Sequence, residues 1–161
     1  MSMKPGRADV RELQALHAER GEEILTRLET FRAVPRSRYF YELCYCLMTP
    51  QSSAVQCFAV AEELERRDFL RTPFDPSSLL RSFKDGYVRF HNTKARRLLH
   101  ARDSFGEVLA ILDGAATDKD ARNALATRVH GLGMKEASHF LRNIGRLNLT
   151  IIDRHILRNL V

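Results

Sequence analysis

An all-α fold is what this 161-residue sequence predicts, on two observations. Nearly every periodic segment repeats its apolar residues three and four positions apart, the spacing of one helix face. Period-two alternation, the mark of a strand, is confined to the short run LTII at residues 149–152. A hydrophobic share of 44% supplies one substantial core, so residues 1–161 are expected to form a single compact unit.

The elements follow in order. Residues 8–33 give one broken helix or two, with Leu13, Leu16, Ile24, Leu25 and Leu28 on the inner face and Gly21 as the break. YFYELCYCLM is apolar nearly all round and stops at Pro50, which predicts a buried central helix. The loop TPQSS leads into a helix over residues 53–67, with Ser52 as N-cap. Asp75 caps and Pro76 opens a short helix running to about Phe83. After the loop KDGYVRFHN, Asn92 caps the basic helix TKARRLLHAR, and residues 105–112 form another helical turn. Asp118 opens a helix with Ala121, Leu125 and Val129 inward, and beyond Gly-Leu-Gly the residues Ala137, Phe140, Leu141 and Ile144 repeat the pattern. Two amphipathic helices joined by so short a glycine link predict a helix-hairpin-helix at about residues 118–145.

Composition narrows the function. A net charge of +6 and a pI near 9.6 favour a polyanionic partner. Cys44, Cys46 and Cys57 are odd in number, lie among apolar residues and show no C-x-x-C pair, so they read as reduced core thiols. A four-cysteine iron–sulfur cluster within this chain is excluded. The start lacks an apolar signal core and no run reaches membrane-span length, so a soluble cytoplasmic protein with no membrane partner is expected.

Chemistry concentrates late in the chain. Gly131 and Gly133 allow a tight turn that brings backbone N–H groups to the surface at a helix start, where they bind phosphate without reading a base. Lys135 follows directly, one of five lysines in a chain where arginine is about four times as common. It is either one more phosphate contact or a nucleophile, whose amine must then shed its proton. Asp153, eighteen residues on, is a helix N-cap, or a carboxylate that stabilises positive charge and steers a proton, or both.

G-L-G-M-K followed by I-I-D resembles the helix-hairpin-helix and aspartate signature of base-excision DNA glycosylases. The fuller strings TPQSSA, VRFHNTKA, GLGMKEASHFLRNIG and IIDRHILRNL resemble the archaeal and bacterial 8-oxoguanine DNA glycosylase/AP lyases of the second class, from about residue 39 to 161. The resemblance implies a bifunctional enzyme acting on double-stranded DNA that carries oxidised guanine or abasic sites, as a monomer, with no metal and no cofactor. It implies that Lys135 attacks C1′ of the damaged nucleoside and that Asp153 stabilises the oxocarbenium-like sugar. A Schiff base on Lys135 then permits β-elimination on the 3′ side. Gln51 matches a residue that fills the gap left by the flipped base, or else sits in a helix-capping loop with no DNA contact, and Phe90 matches an aromatic that stacks on that base, or else is a core phenylalanine. Lys94, Arg96 and Arg97 would join Gly131 and Gly133 as backbone contacts, or form a solvated basic face. His139, Arg142 and Asn143 are assigned supporting roles.

Family members continue some tens of residues past the aspartate, whereas this sequence stops at Val161 in an apolar helix bearing Ile156, Leu157 and Leu160. The C-terminal portion of the family fold is therefore expected to lie outside it. Two rivals stay open. An endonuclease III-like glycosylase for oxidised pyrimidines is disfavoured by the absent cluster cysteines, and a non-catalytic helix-hairpin-helix module leaves the pairing of Lys135 with Asp153 as coincidence.

Overall fold

The structure, a computed structural model, describes residues 7–153 and 156–158. Leu160 therefore lies outside the described residues. Among them it contains α1 (Arg7–Glu19), α2 (Gly21–Arg32), a 3-10 turn (Arg36–Arg38), α3 (Tyr39–Met48), α4 (Ala54–Arg66), α5 (Ser77–Arg81), α6 (His91–Asp103), α7 (Phe105–Gly114), α8 (Asp118–Arg128) and α9 (Met134–Asn143). The LTII run forms no strand, and the pairing nearest to a sheet is one isolated bridge between Phe83 and Gly86.

Helix α3 is the axis of the fold. Phe40, Leu43, Cys44, Cys46, Leu47 and Met48 are all fully buried, because α4, α6 and α9 pack around it. Phe40 anchors an aromatic cluster, meeting Phe105 edge-on at 5.2 Å and Phe69 at 6.0 Å between ring centroids. Each such side chain contributes on the order of 1.5–3 kcal/mol by leaving water. The three cysteines are free and buried, and burial pushes the Cys57 thiol up to about 11.

The first two helices depart from expectation. They form with a break at Arg20 and Gly21, yet their apolar face is not an inner one. Leu13 is 67% and Leu25 62% exposed, with Leu16 and Ile24 also exposed and Leu28 half-buried. Helical periodicity identifies an apolar face but does not supply a partner for it. The C-terminal half of α2 meets the body, where the Arg142 guanidinium lies 4.8 Å from the Phe31 ring centroid and Arg27 and Thr30 line a recess shared with α9.

Caps also differ by a residue or two. Ser53, not Ser52, caps α4, its hydroxyl accepting from the Gln56 N–H. Phe90, not Asn92, precedes α6, in a left-handed conformation with φ 59°. Thr117 caps α8 by accepting from the Asp120 N–H at 3.1 Å. Pro76, not Asp75, is the residue before α5, which runs from Ser77 to Arg81 and so stops short of Phe83, while Asp75 one position earlier accepts from the Ser77 N–H at 2.9 Å.

Candidate active site

Helices α8 and α9 are joined by residues 129–133. Val129 leaves the helix in an extended conformation, Leu132 turns back with its N–H donating to the Val129 carbonyl at 3.1 Å, and its side chain is buried beneath the turn. Gly131 takes φ +89°, where a side chain is strained, and a Cβ there would stand 2.4 Å from Arg97 Cδ. Glycine thus lets the Arg97 stem cross the hairpin directly. Gly133 begins α9 without a side-chain cap. The first N–H groups of α9 therefore lack the usual capping oxygen at a surface that Gly133, Met134 and Lys135 leave exposed.

Lys135 is the second residue of α9, on the exposed side of a helix whose opposite face buries Ala137, Phe140 and Leu141. One turn further along, His139 is half-buried and meets the Tyr45 ring edge-on at 5.5 Å. Burial, then the charges of Arg142 and Lys135, hold its imidazole down to about 4, so it is neutral at pH 7. His139 and Tyr45 line a recess of about 240 Å³ between α2, α3, α4 and α9. At its floor Glu42 accepts from Asn143 Nδ2 at 2.9 Å, and burial raises the Glu42 carboxyl above its ordinary range.

After α9 the chain turns at Gly145, φ +85°, with the Arg146 N–H reaching back to the Leu141 carbonyl at 2.9 Å. Arg146 donates to the Leu112 carbonyl at 2.6 Å, and Asp118 receives both Arg146 and Asn148 at 3.3 Å. Beyond this strap Asp153 is half-buried. Its Oδ1 accepts from the Ile156 N–H and its carbonyl from the Leu157 N–H, both at 3.0 Å. Asp153 therefore does cap the turn that follows. Ile156 and Leu157 are exposed.

Gln51 and Phe90 are both exposed and both left-handed, with φ 56° and 59°. Lys94 corrects the sequence reading. It is 2% exposed, with its ammonium donating to the Met48 carbonyl at 2.5 Å, the Pro50 carbonyl at 2.7 Å and Ser52 Oγ at 2.9 Å. An ammonium whose three donors go to three internal acceptors has no donor left for a phosphate. A signal for this was present, since Lys94, Ala95, Leu98 and Ala101 share one helical face, and all four are buried. Of the neighbouring arginines, Arg97 reaches the hairpin, whereas Arg96 is exposed on the α5 side near Asp75.

Comparison with known proteins agrees with this arrangement. A family profile described as 8-oxoguanine DNA glycosylase, Ogg-HhH, matches residues 24–161. An 8-oxoguanine DNA glycosylase/AP lyase of Sulfolobus acidocaldarius is 40% identical over 91% of this chain and 70% of its own length. One from Metallosphaera sedula is 41% identical over 84% and 67%. The crystal structure of the Methanocaldococcus jannaschii 8-oxoguanine glycosylase/lyase, in complex with a 15mer DNA containing 8-oxoguanine, superposes with a TM-score of 0.77 at 31% identity. That match covers 94% of this chain and 73% of the other. The hairpin, the lysine after it and the all-α frame thus sit in a chain that belongs to the helix-hairpin-helix family of 8-oxoguanine DNA glycosylases.

Proposed function

We propose that this protein excises 8-oxoguanine from duplex DNA through a Schiff base on Lys135 and cleaves the resulting abasic site by β-elimination. The observation that carries the reading is Lys135 itself, exposed in the first turn of a helix that opens on an uncapped glycine hairpin. Phosphates bound by the hairpin N–H groups bring a nucleotide alongside the amine. The target base leaves the stack first, with Gln51 filling the gap and Phe90 stacking on the extruded base.

In the covalent step the Lys135 Nζ–C1′ bond forms as the bond from C1′ to the base breaks. The bonding pair departs with the base, which takes up a proton. Asp153 stabilises the positive charge on the sugar. Ring opening gives the iminium, and loss of a C2′ proton expels the 3′ phosphate. The reach required of Asp153 is reasonable. Helix α9, of ten residues, is about 15 Å long, and the run from Arg146 to Asp153 extends up to about 23 Å. A return toward the level of Lys135 is within that length. Buried free thiols suit the reducing cytoplasm, where the enzyme would work on chromosomal DNA. Among the described residues no helix is long and apolar enough to cross a membrane.

Borohydride trapping on duplexes carrying 8-oxoguanine, thymine glycol or an abasic site is the test. The expected result is a covalent complex with the first and third. Trapping on thymine glycol instead assigns the enzyme to oxidised pyrimidines. Duplex binding with no trapping on any substrate leaves a DNA-binding module whose Lys135 is a phosphate contact.

A further inference from the structure

The Lys94 ammonium is spent on the backbone of a loop it does not belong to. Residues 49–52 form a tight turn closed by the Ser52 N–H donating to the Thr49 carbonyl at 3.0 Å, with Gln51 left-handed at its third position. Glutamine in that conformation is strained, and the surrounding structure must hold it there. The ammonium supplies that hold. It takes the Met48 carbonyl, at the end of α3 where helix carbonyls lack partners, together with the Pro50 carbonyl and Ser52 Oγ.

The same residue holds the other side. The Lys94 N–H donates to the Phe90 carbonyl at 3.0 Å, the first hydrogen bond of α6, and so fixes the second left-handed residue. Ser52 Oγ also accepts from the Arg89 N–H at 2.9 Å, so both of its lone pairs are taken by groups from the α6 side. Gln51 and Phe90, thirty-nine residues apart in the chain, are thereby joined through a few hydrogen bonds into one unit. Their side chains remain exposed, while the Lys94 side chain that links them is buried and its bonds to Pro50 and Ser52 are part-buried. Burial of an ammonium with no carboxylate among these acceptors is costly. Burial also lowers its pKa, so a purely structural link would be better served by a neutral side chain.

We propose that Lys94 is a positioning residue for base extrusion: its ammonium locks the Gln51 turn to the Phe90 helix start, so that filling the vacated stack and receiving the extruded base occur on one rigid element. The proposal rests on the glycosylase reading above. It separates two steps that a general loss of structure would not separate. Extrusion of a paired base needs Gln51 and Phe90 in register, whereas cleavage of a pre-formed abasic site needs Lys135 to reach C1′ and no base to be held.

The test uses Lys94→Met, which keeps the apolar stem and removes the donors, and Ser52→Ala, which removes the shared acceptor and leaves the ammonium. Extrusion is followed by 2-aminopurine fluorescence beside the lesion, and single-turnover rates are measured for 8-oxoguanine excision and abasic-site cleavage. Lys94→Met is expected to lose the fluorescence rise and to slow excision about tenfold to a hundredfold, while abasic cleavage stays within about threefold. Ser52→Ala should shift the same ratio in the same direction by a smaller amount. It decides the matter alone if Lys94→Met does not fold. Unaltered extrusion in the variants, or equal slowing of excision and abasic cleavage, overturns the positioning role. Failure of the unaltered protein to trap on either substrate overturns the glycosylase reading instead.

Discussion

Lys135 carries the chemistry if its removal separates catalysis from binding. Lys135→Gln should abolish base release and borohydride trapping while duplex affinity changes by less than about threefold, since one exposed phosphate contact is worth little beside the hairpin. An affinity loss as large as the activity loss would make it a clamp. Asp153→Asn should slow excision far more than abasic-site cleavage, because the carboxylate matters most while the glycosidic bond breaks. Asparagine also caps helices, so the melting temperature should hold. His139 gives a prediction in pH. Its imidazole is held near 4 in the fold against about 6.5 when unfolded. The unfolded chain therefore takes up the proton first. The stability that His139 contributes is complete above pH ~6.5 and lost as pH falls toward 4, by no more than about 3 kcal/mol. Urea unfolding of His139→Gln should show a smaller drop between about pH 7.5 and pH 4.5 than the unaltered protein. Sequence showed the identity of such residues and not their surroundings. Lys135 and Lys94 are both helix lysines, but one is exposed and the other enclosed, and only the apolar face shared by Lys94 hinted at the difference.

Elements were legible where periodicity and packing agreed. Helices α3, α8 and α9 run nearly as their apolar faces predict, because each has neighbours on that face. Caps were less legible, since TPQSS offers two adjacent serines and only the turn at Gln51 decides which one meets the α4 N–H groups. The same turn gives Ser52 a different use. For the hairpin, the two glycines bear different constraints and should respond differently. Gly131→Ala places a side chain at φ +89° and against the Arg97 stem, so a loss of about 1–2 kcal/mol is expected, read as a melting temperature lower by several degrees. Gly133 has φ −86° and ψ 179°, which any residue adopts, and a Cβ would meet only the mobile end of Glu136 at 2.9 Å. Gly133→Ala should keep its stability within about 0.5 kcal/mol and still bind duplex more weakly, because the methyl stands where a phosphate approaches. Equal stability losses in the two variants would contradict this division.

At the scale of the molecule, charge and surface decide how DNA is met. A net charge of +6 draws the chain to a polyanion, but the surface is uneven. The exposed leucines of α1 and α2 show that amphipathic pattern alone does not say which faces the fold covers. The basic residues are likewise not one footprint. Lys94 is enclosed, Arg97 lies across the hairpin, and Arg96 projects on the α5 side of α6 beside a recess that Asp75 also lines. Counterion release makes the distinction measurable, since each neutralised phosphate contributes about 0.9 to the slope of log affinity against log salt. Fluorescence anisotropy with an undamaged duplex between about 50 and 200 mM salt should give a steep decline for the unaltered protein. Arg97→Gln should flatten that slope by about one, and Arg96→Ala by clearly less, because the Arg97 side chain, although carried by α6, lies against the hairpin at Gly131. An equal effect of the two substitutions would mean that the duplex wraps round α6 to its α5 side. No effect of either would confine the electrostatic contact to the hairpin N–H groups and Lys135, leaving the basic helix as a solvated face.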